Sequence, residues 1–230
     1  MSAASAAIIL ENSRPSQAAA RRLAERYVSV RNATEMLAAP LSAEDQTVQS
    51  MPDASPAKWH RAHTSWFFET FVLLPHAPGY HAFDAHYSYL FNSYYEAVGA
   101  RHRRSERGLI TRPGIAEIAA YRAHIDAAMV ALLTEPSPEI ASLVELGLNH
   151  EQQHQELLLT DIKHAFAANP IAPAYEPPPP RDAGVGAPKL AWIDIAGGRH
   201  SVGNGGADFC FDNEEPWHEQ LLQDFRIANR

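Results

Sequence analysis

Two histidines, His150 and His154, stand four residues apart in a long stretch with helical spacing. On a helix such residues project from one face about one turn apart, so both rings can bind one metal ion. The same face continues at spacings of three and four through Gly147, Leu157, Asp161 and Ala165. Apolar spacing predicts that this face lies inside the protein, where each ring needs a polar partner. We therefore predict a metal site, with two structural core histidines as the alternative.

His63 is the natural third ligand. It stands among Trp59, Trp66 and Phe67 on another predicted helix. A lone histidine on an apolar face is often structural, but facing helices of a bundle also build metal sites together. Three neutral imidazoles leave a divalent ion its full charge and up to three open positions, which suits a thiolate and dioxygen. The remaining histidines are not expected to be ligands, so replacing His60 or His164 by alanine should leave metal occupancy unchanged.

Two other metal motifs overlap the histidine pair. His150-Glu151-Gln152-Gln153-His154 spells the H-E-x-x-H motif of zinc proteases, in which the glutamate is the general base. No strand pattern precedes this helix and no glycine turn with a third histidine follows it, which disfavours a protease. Glu151-x-x-His154 is half of a di-iron site, but no other predicted helix repeats it. A single metal ion is favoured, and Glu156 is expected away from the ion.

Apolar spacing also predicts the helices that must position these residues. The predicted helices cover about 15–37, 55–74, 85–98, 114–133 and 137–168. Ser42 with Asp45 resembles a capping box that opens a short helical turn. Ser137-Pro138 is typical of the start of a helix and Asn169-Pro170 of its end. The sequence therefore predicts a mainly α protein.

The composition changes after Pro170. Glu176 precedes four prolines, and a glycine-rich stretch runs on to Pro188, which is typical of an extended linker. Residues 190–195 then alternate like a strand, and so short a final segment cannot bury a core of its own. We predict a helical domain over 1–170, a linker over 171–189 and an incomplete α+β segment over 190–230.

The bulk composition excludes several classes of partner. The chain has 230 residues, a net charge of -8 and 12 histidines, with one basic cluster at 101–112, which disfavours nucleic acid. No apolar run approaches the ~20 residues of a membrane span, and the first residues lack the basic start of a signal peptide. The single Cys210 fits a reducing compartment. We expect a cytoplasmic protein with neither nucleic acid nor membrane as a partner.

Four segments in order resemble the ergothioneine-synthesising sulfoxide synthases. They are WHRAHTSWFFE at 59–69, LFNSYYEAVG at 90–99, RGLITRP at 107–113 and HEQQHQE at 150–156. The last matches the H-x-x-x-H-x-E motif of that family. The resemblance covers the helical part, for which it implies a DinB-like four-helix bundle. Residues 190–230, with FDNE at 211–214, resemble the opening of a second domain related to the formylglycine-generating enzymes.

Such enzymes use non-haem iron and dioxygen to join the sulfur of cysteine or γ-glutamylcysteine to the imidazole of hercynine, giving a sulfoxide. The resemblance implies a mononuclear Fe(II) cofactor with His63, His150 and His154 as its ligands. Gln153 corresponds to a position that contacts hercynine. Which of the two thiols is the substrate stays open.

The resemblance also implies roles for two further pairs. Tyr94 and Tyr95 match a tyrosine pair that, in one branch of the family, lies near the metal and delivers a proton or a hydrogen atom during the oxygen chemistry. A phenol with a pKa of about 10 stays protonated until a strong base forms beside it. Ordinary aromatic core residues are the alternative. Arg104 and Arg107 are candidates to pair with a substrate carboxylate, and a solvated loop cluster is an equal alternative.

The family's second domain continues much further and closes one side of the active site, whereas this sequence ends at Arg230. The resemblance therefore implies an iron(II)-dependent oxidoreductase or its N-terminal portion, with reduced or no activity if the remaining part is missing. A non-catalytic metal-binding module is one other hypothesis. A DinB-like thiol transferase that uses zinc is another.

Overall fold

The computed structural model describes residues 15–93, 99–177, 186, 188–206 and 209–230. The chain divides into two compact units, with the boundary after Pro177. The first unit is mainly helical, and the second contains four short strands in its described part. No helix within the described ranges is long and apolar enough to cross a membrane.

Four long helices build the first unit. The helices in chain order are α1 (Gln17–Ala38), α2 (Ala57–Phe68), α3 (Leu74–His76), α4 (Tyr87–Leu90), α5 (Ile115–Leu132) and α6 (Pro138–Ala168). The predicted mainly α fold is confirmed, with long helices close to the bounds expected for α1, α5 and α6. Helix α6 packs against α1 and α2, and α2 also packs against α5.

Local side-chain bonds start α6, and also a turn after α1, where the sequence indicates. The Oγ of Ser137 accepts a hydrogen bond from the backbone N–H of Ile140 at 3.2 Å, with Pro138 in the first turn of α6. The reciprocal bonds of the predicted capping box are also present. Ser42 N–H donates to Asp45 Oδ2 at 3.0 Å, and Asp45 N–H donates to Ser42 Oγ at 3.1 Å.

The third predicted helix, over 85–98, is wrong in its described part. Only Tyr87–Leu90 is helical, 91–93 is irregular, and 94–98 lies outside the described residues. The carbonyls at the end of α4 accept bonds from side chains of α2. Trp59 Nε1 donates to Leu90 O at 3.0 Å, and His63 Nδ1 donates to Phe91 O at 2.6 Å. These bonds attach the end of α4 to α2.

The second predicted helix also continues further than its expected end before Pro75. After α2 the backbone forms a π-helical turn, Glu69–Leu73, and then the short α3, in which Pro75 occupies the first turn. A proline is tolerated there because its missing N–H has no helical partner to lose. The buried carboxylate of Glu69, in the π-helical turn, accepts hydrogen bonds from the hydroxyls of Tyr80 at 2.8 Å and Tyr121 at 2.6 Å.

Gly147 sets how closely α6 approaches α2. A Cβ built on Gly147 would lie 2.6 Å from a ring atom of Phe68 and 2.8 Å from one of Phe67, and both rings are buried. Buried rings in a packed core have little room to move. The missing side chain is therefore what allows the two helices that carry the candidate ligands to meet.

We expect Gly147→Ala to lower the free energy of unfolding by about 1–3 kcal/mol because of overpacking against these rings. Without the contact to the rings this substitution should stabilise the protein, because alanine in a helix is intrinsically favoured over glycine by about 1 kcal/mol. Urea unfolding followed by circular dichroism measures the difference. A variant at least as stable as the wild type would show that the two rings can move aside.

The second unit contains two antiparallel strand pairs. Strand β1 (Trp192–Ile195) pairs with β4 (Phe225–Ala228), and β2 (Gly198–Val202) pairs with β3 (His218–Leu222). The predicted strand at 190–195 is confirmed by β1, whereas the sequence pattern does not indicate the other three. Apolar side chains on these strands stay exposed, as Trp192 does with 59% of its surface accessible.

Candidate metal centre

Three histidines from two helices gather at one point. His63 lies on α2, His150 and His154 lie on α6, and one ring nitrogen of each is within 4.8 Å of those of the other two. The Nε2 atoms of His63 and His150 are 3.2 Å apart. Two nitrogens bound to one ion at about 2.0–2.1 Å are themselves separated by roughly 3 Å. The spacing therefore fits one divalent ion shared by the three rings.

Contacts at Nδ1 hold two of the three rings. His63 Nδ1 donates to the carbonyl of Phe91, which can only accept, so Nε2 of His63 carries the lone pair. His154 Nδ1 lies 2.8 Å from Nδ1 of His60. The Nδ1 of His150 is buried and has no hydrogen-bond partner among the described residues. Among the described residues, Nδ1 therefore has a hydrogen-bond partner in His63 and His154 but none in His150.

Burial keeps these rings neutral. Loss of solvation is the largest effect on each, and it lowers the pKa of His150 to about 4. The pKa values of His63 and His154 fall well below the ordinary histidine value for the same reason, and neighbouring histidines lower them further. Neutral imidazole is the form that binds a metal ion.

Aromatic rings fix the orientation of His63. The ring of Trp59 stacks on it with centroids 4.5 Å apart and planes 12° apart, and Trp66 is nearly parallel at 5.4 Å. The guanidinium of Arg107 lies 3.4 Å from the centroid of the Trp59 ring. A stacked and hydrogen-bonded ring has little freedom to rotate, so His63 is held in place before any ion binds.

A buried ionic network lies behind the centre. The Glu151 carboxylate is fully buried and accepts bonds from Arg31 Nη1 at 2.9 Å, Arg122 Nη2 at 3.0 Å and Thr34 Oγ1 at 2.6 Å. Arg122 Nη1 also donates to Arg61 O at 2.8 Å, so the network joins all four long helices. Although it follows His150 directly, Glu151 points away from the three rings.

The network decides the ionisation of Glu151. Burial is the largest effect and opposes the charge, but the two guanidiniums outweigh it and bring the pKa of Glu151 to about 2. A carboxylate held by Arg31 and Arg122 is neither a free general base nor a ligand. The protease motif therefore lacks its base, which agrees with the single-metal interpretation.

The three histidines line a cavity of about 410 Å³ that Gln153, Arg104 and Arg107 also line. Arg107 is buried and donates to Ser55 Oγ at 2.9 Å and Ser93 Oγ at 3.3 Å. Arg104 is half-buried, and Gln153 is exposed. All the predicted site residues that the structure describes therefore line this one cavity. Tyr94 and Tyr95, the predicted catalytic pair, lie outside the described residues.

Two predictions, one for α6 and one for α2, change in the structure. Leu157, expected in the interior, keeps 41% of its surface exposed and lines the cavity. His60, which was expected to have no influence on the metal, contacts His154, and Asp161 contacts His60. The spacing carried a weak signal, since His60 precedes His63 by three residues and Asp161 follows His154 by seven. Glu156 is exposed, away from the three rings, as expected.

Comparison with protein-family models and with curated proteins finds no match to this chain.

Proposed function

We propose that this chain is an iron(II)-dependent, dioxygen-using sulfoxide synthase of ergothioneine biosynthesis, or the N-terminal portion of one. The observation that carries the proposal is the cluster of three neutral imidazoles in one cavity with Arg107 and Gln153. We also propose that α1, α2, α5 and α6 form a DinB-like four-helix bundle. The sequence motifs at 59–69 and 150–156, which contain the three histidines, support both parts.

The donor set fits a catalytic ferrous ion. The candidate cluster in the described residues contains imidazole nitrogens only, so a bound Fe(II) keeps its charge and has open positions for other ligands. When bound, iron supplies the activation of dioxygen and a binding position for a thiolate. A closed structural site would need a fourth protein ligand.

The protein's own groups are suited to orient the organic substrates. Arg107 is a buried guanidinium held by Ser55 and Ser93, so its position is fixed and its charge can pair with a substrate carboxylate. Gln153 lies one residue before His154 and borders the cavity, where its amide can donate to or accept from an imidazole substrate. A thiol substrate has to stay reduced, which supports a cytoplasmic location.

The test is product formation. We expect purified protein with Fe(II), dioxygen and hercynine to form a sulfoxide with cysteine or γ-glutamylcysteine, detected by its mass. Zinc in place of iron is the matched control, because Zn(II) has no redox chemistry. Thiol transfer with zinc would favour a DinB-like transferase. Failure with both thiols would show that this chain does not catalyse the reaction by itself and would leave a metal-binding module.

A further inference from the structure

Helices α2 and α6 carry a short chain of hydrogen bonds that ends on one candidate ligand. Asp161 Oδ2 lies 3.0 Å from His60 Nε2, and His60 Nδ1 lies 2.8 Å from His154 Nδ1. The His60 side chain is 3% exposed and that of Asp161 11%. Both residues line the same cavity as the three histidines. The chain of contacts is therefore largely sheltered from water.

The donors in this chain can be assigned from chemistry. Asp161 Oδ2 also accepts the backbone N–H of Ser55 at 2.8 Å. A carboxylate oxygen only accepts, so the His60 nitrogen that faces it, Nε2, carries a hydrogen. In the neutral ring Nδ1 of His60 is then an acceptor, and the hydrogen between the two rings belongs to Nδ1 of His154.

We propose that His60 and Asp161 are positioning residues that hold His154 as its Nδ1–H tautomer, so that Nε2 of His154 is its metal-binding atom. This inference rests on the metal centre of the proposed function but on none of its substrates. A carboxylate behind a histidine pair also makes the ligating nitrogen a better electron donor.

The Nδ1 atoms of His154 and His63 have different kinds of hydrogen-bond partner, and only that of His154 can be removed by substitution. The Nδ1 of His63 is held by a backbone carbonyl, that of Phe91, which no side-chain substitution removes. The Nδ1 of His154 is held by the side chain of His60. Removing that side chain leaves the three candidate ligands intact and removes only the partner of one.

We expect His60→Leu to weaken Zn(II) binding by about 10- to 100-fold, the usual cost of losing such a partner. The measurement is competition of the protein with a chromophoric chelator. His60→Asn can place an amide oxygen near the position of Nδ1 and should recover most of the affinity. His164 is an exposed histidine on α6, so His164→Leu is the matched control and should bind Zn(II) as tightly as the wild type.

The tautomer itself is read from the nitrogen-15 spectrum of histidine in the metal-free wild type, which needs no variant to fold. We expect His154 as the Nδ1–H form. An Nε2–H form, or a folded His60→Leu protein with wild-type affinity, would overturn the proposal. Neither readout involves hercynine or a thiol, so failure of the sulfoxide reaction would not affect this result. An Nε2–H form of His154 would likewise not decide whether the chain makes a sulfoxide.

Discussion

Glu151→Gln is expected to lower the free energy of unfolding by about 3–5 kcal/mol. The substitution keeps the shape of the side chain but removes the charge that two buried guanidiniums share. Arg31 is 2% exposed and Arg122 is also 2% exposed, so water cannot replace the lost carboxylate. The amide nitrogen also presents a donor either to Arg31 or to Thr34 and Arg122, all of which donate to the carboxylate.

Glu156→Gln is the matched control, because Glu156 lies on the same helix but is exposed. It should change the free energy of unfolding by no more than about 0.5 kcal/mol. Urea unfolding of both variants, followed by circular dichroism, measures the difference. If Glu151→Gln were as stable as Glu156→Gln, the buried network would not hold the helices together.

The long helices were predictable because their signals are local. Apolar residues recur at three and four, and the capping residue Ser137 lies beside the helix that it starts. The role of Glu151 was not predictable in this way. Its partner Arg31 is 120 residues away along the chain, and the sequence pattern does not say which charged residues meet. Only the packing of α1 on α6 brings them together.

The same contrast explains the segment after α4. Its aromatic spacing predicts a helix over 85–98. In a continued helix Tyr89 O would accept the N–H of Ser93, but it accepts the N–H of His102 at 3.0 Å instead. Tertiary contacts of this kind override local propensity. The three strands β2–β4 were missed for a different reason. Their alternation of apolar and polar residues is weak, and their side chains are exposed.

In the candidate metal centre, the histidine pair on α6 was predictable from spacing alone, and His63 from its place on a facing helix. His60 was not, because its role depends on the distance between α2 and α6 and on its contact with Asp161. A histidine three residues before a ligand on the same helix is therefore worth testing as a partner of a neighbouring ligand.

Replacing His63, His150 or His154 by alanine is expected to remove the metal ion. Each substitution deletes one of three nitrogens that lie within 4.8 Å of one another, and two remaining imidazoles bind a divalent ion weakly. The ion in protein as isolated need not be iron, since zinc or nickel binds nitrogen sites more tightly than Fe(II). Circular dichroism checks that each variant is folded, and His164→Ala is the control.

Bound divalent metal per chain after desalting is the measurement that tests the metal centre most directly. We expect about one ion in the wild type and in His164→Ala, and less than about a tenth of an ion in each of the three ligand variants. A full ion in folded His63→Ala would remove His63 from the ligand set. Two ions per wild-type chain, or full occupancy in all three variants, would contradict a mononuclear centre of three imidazoles.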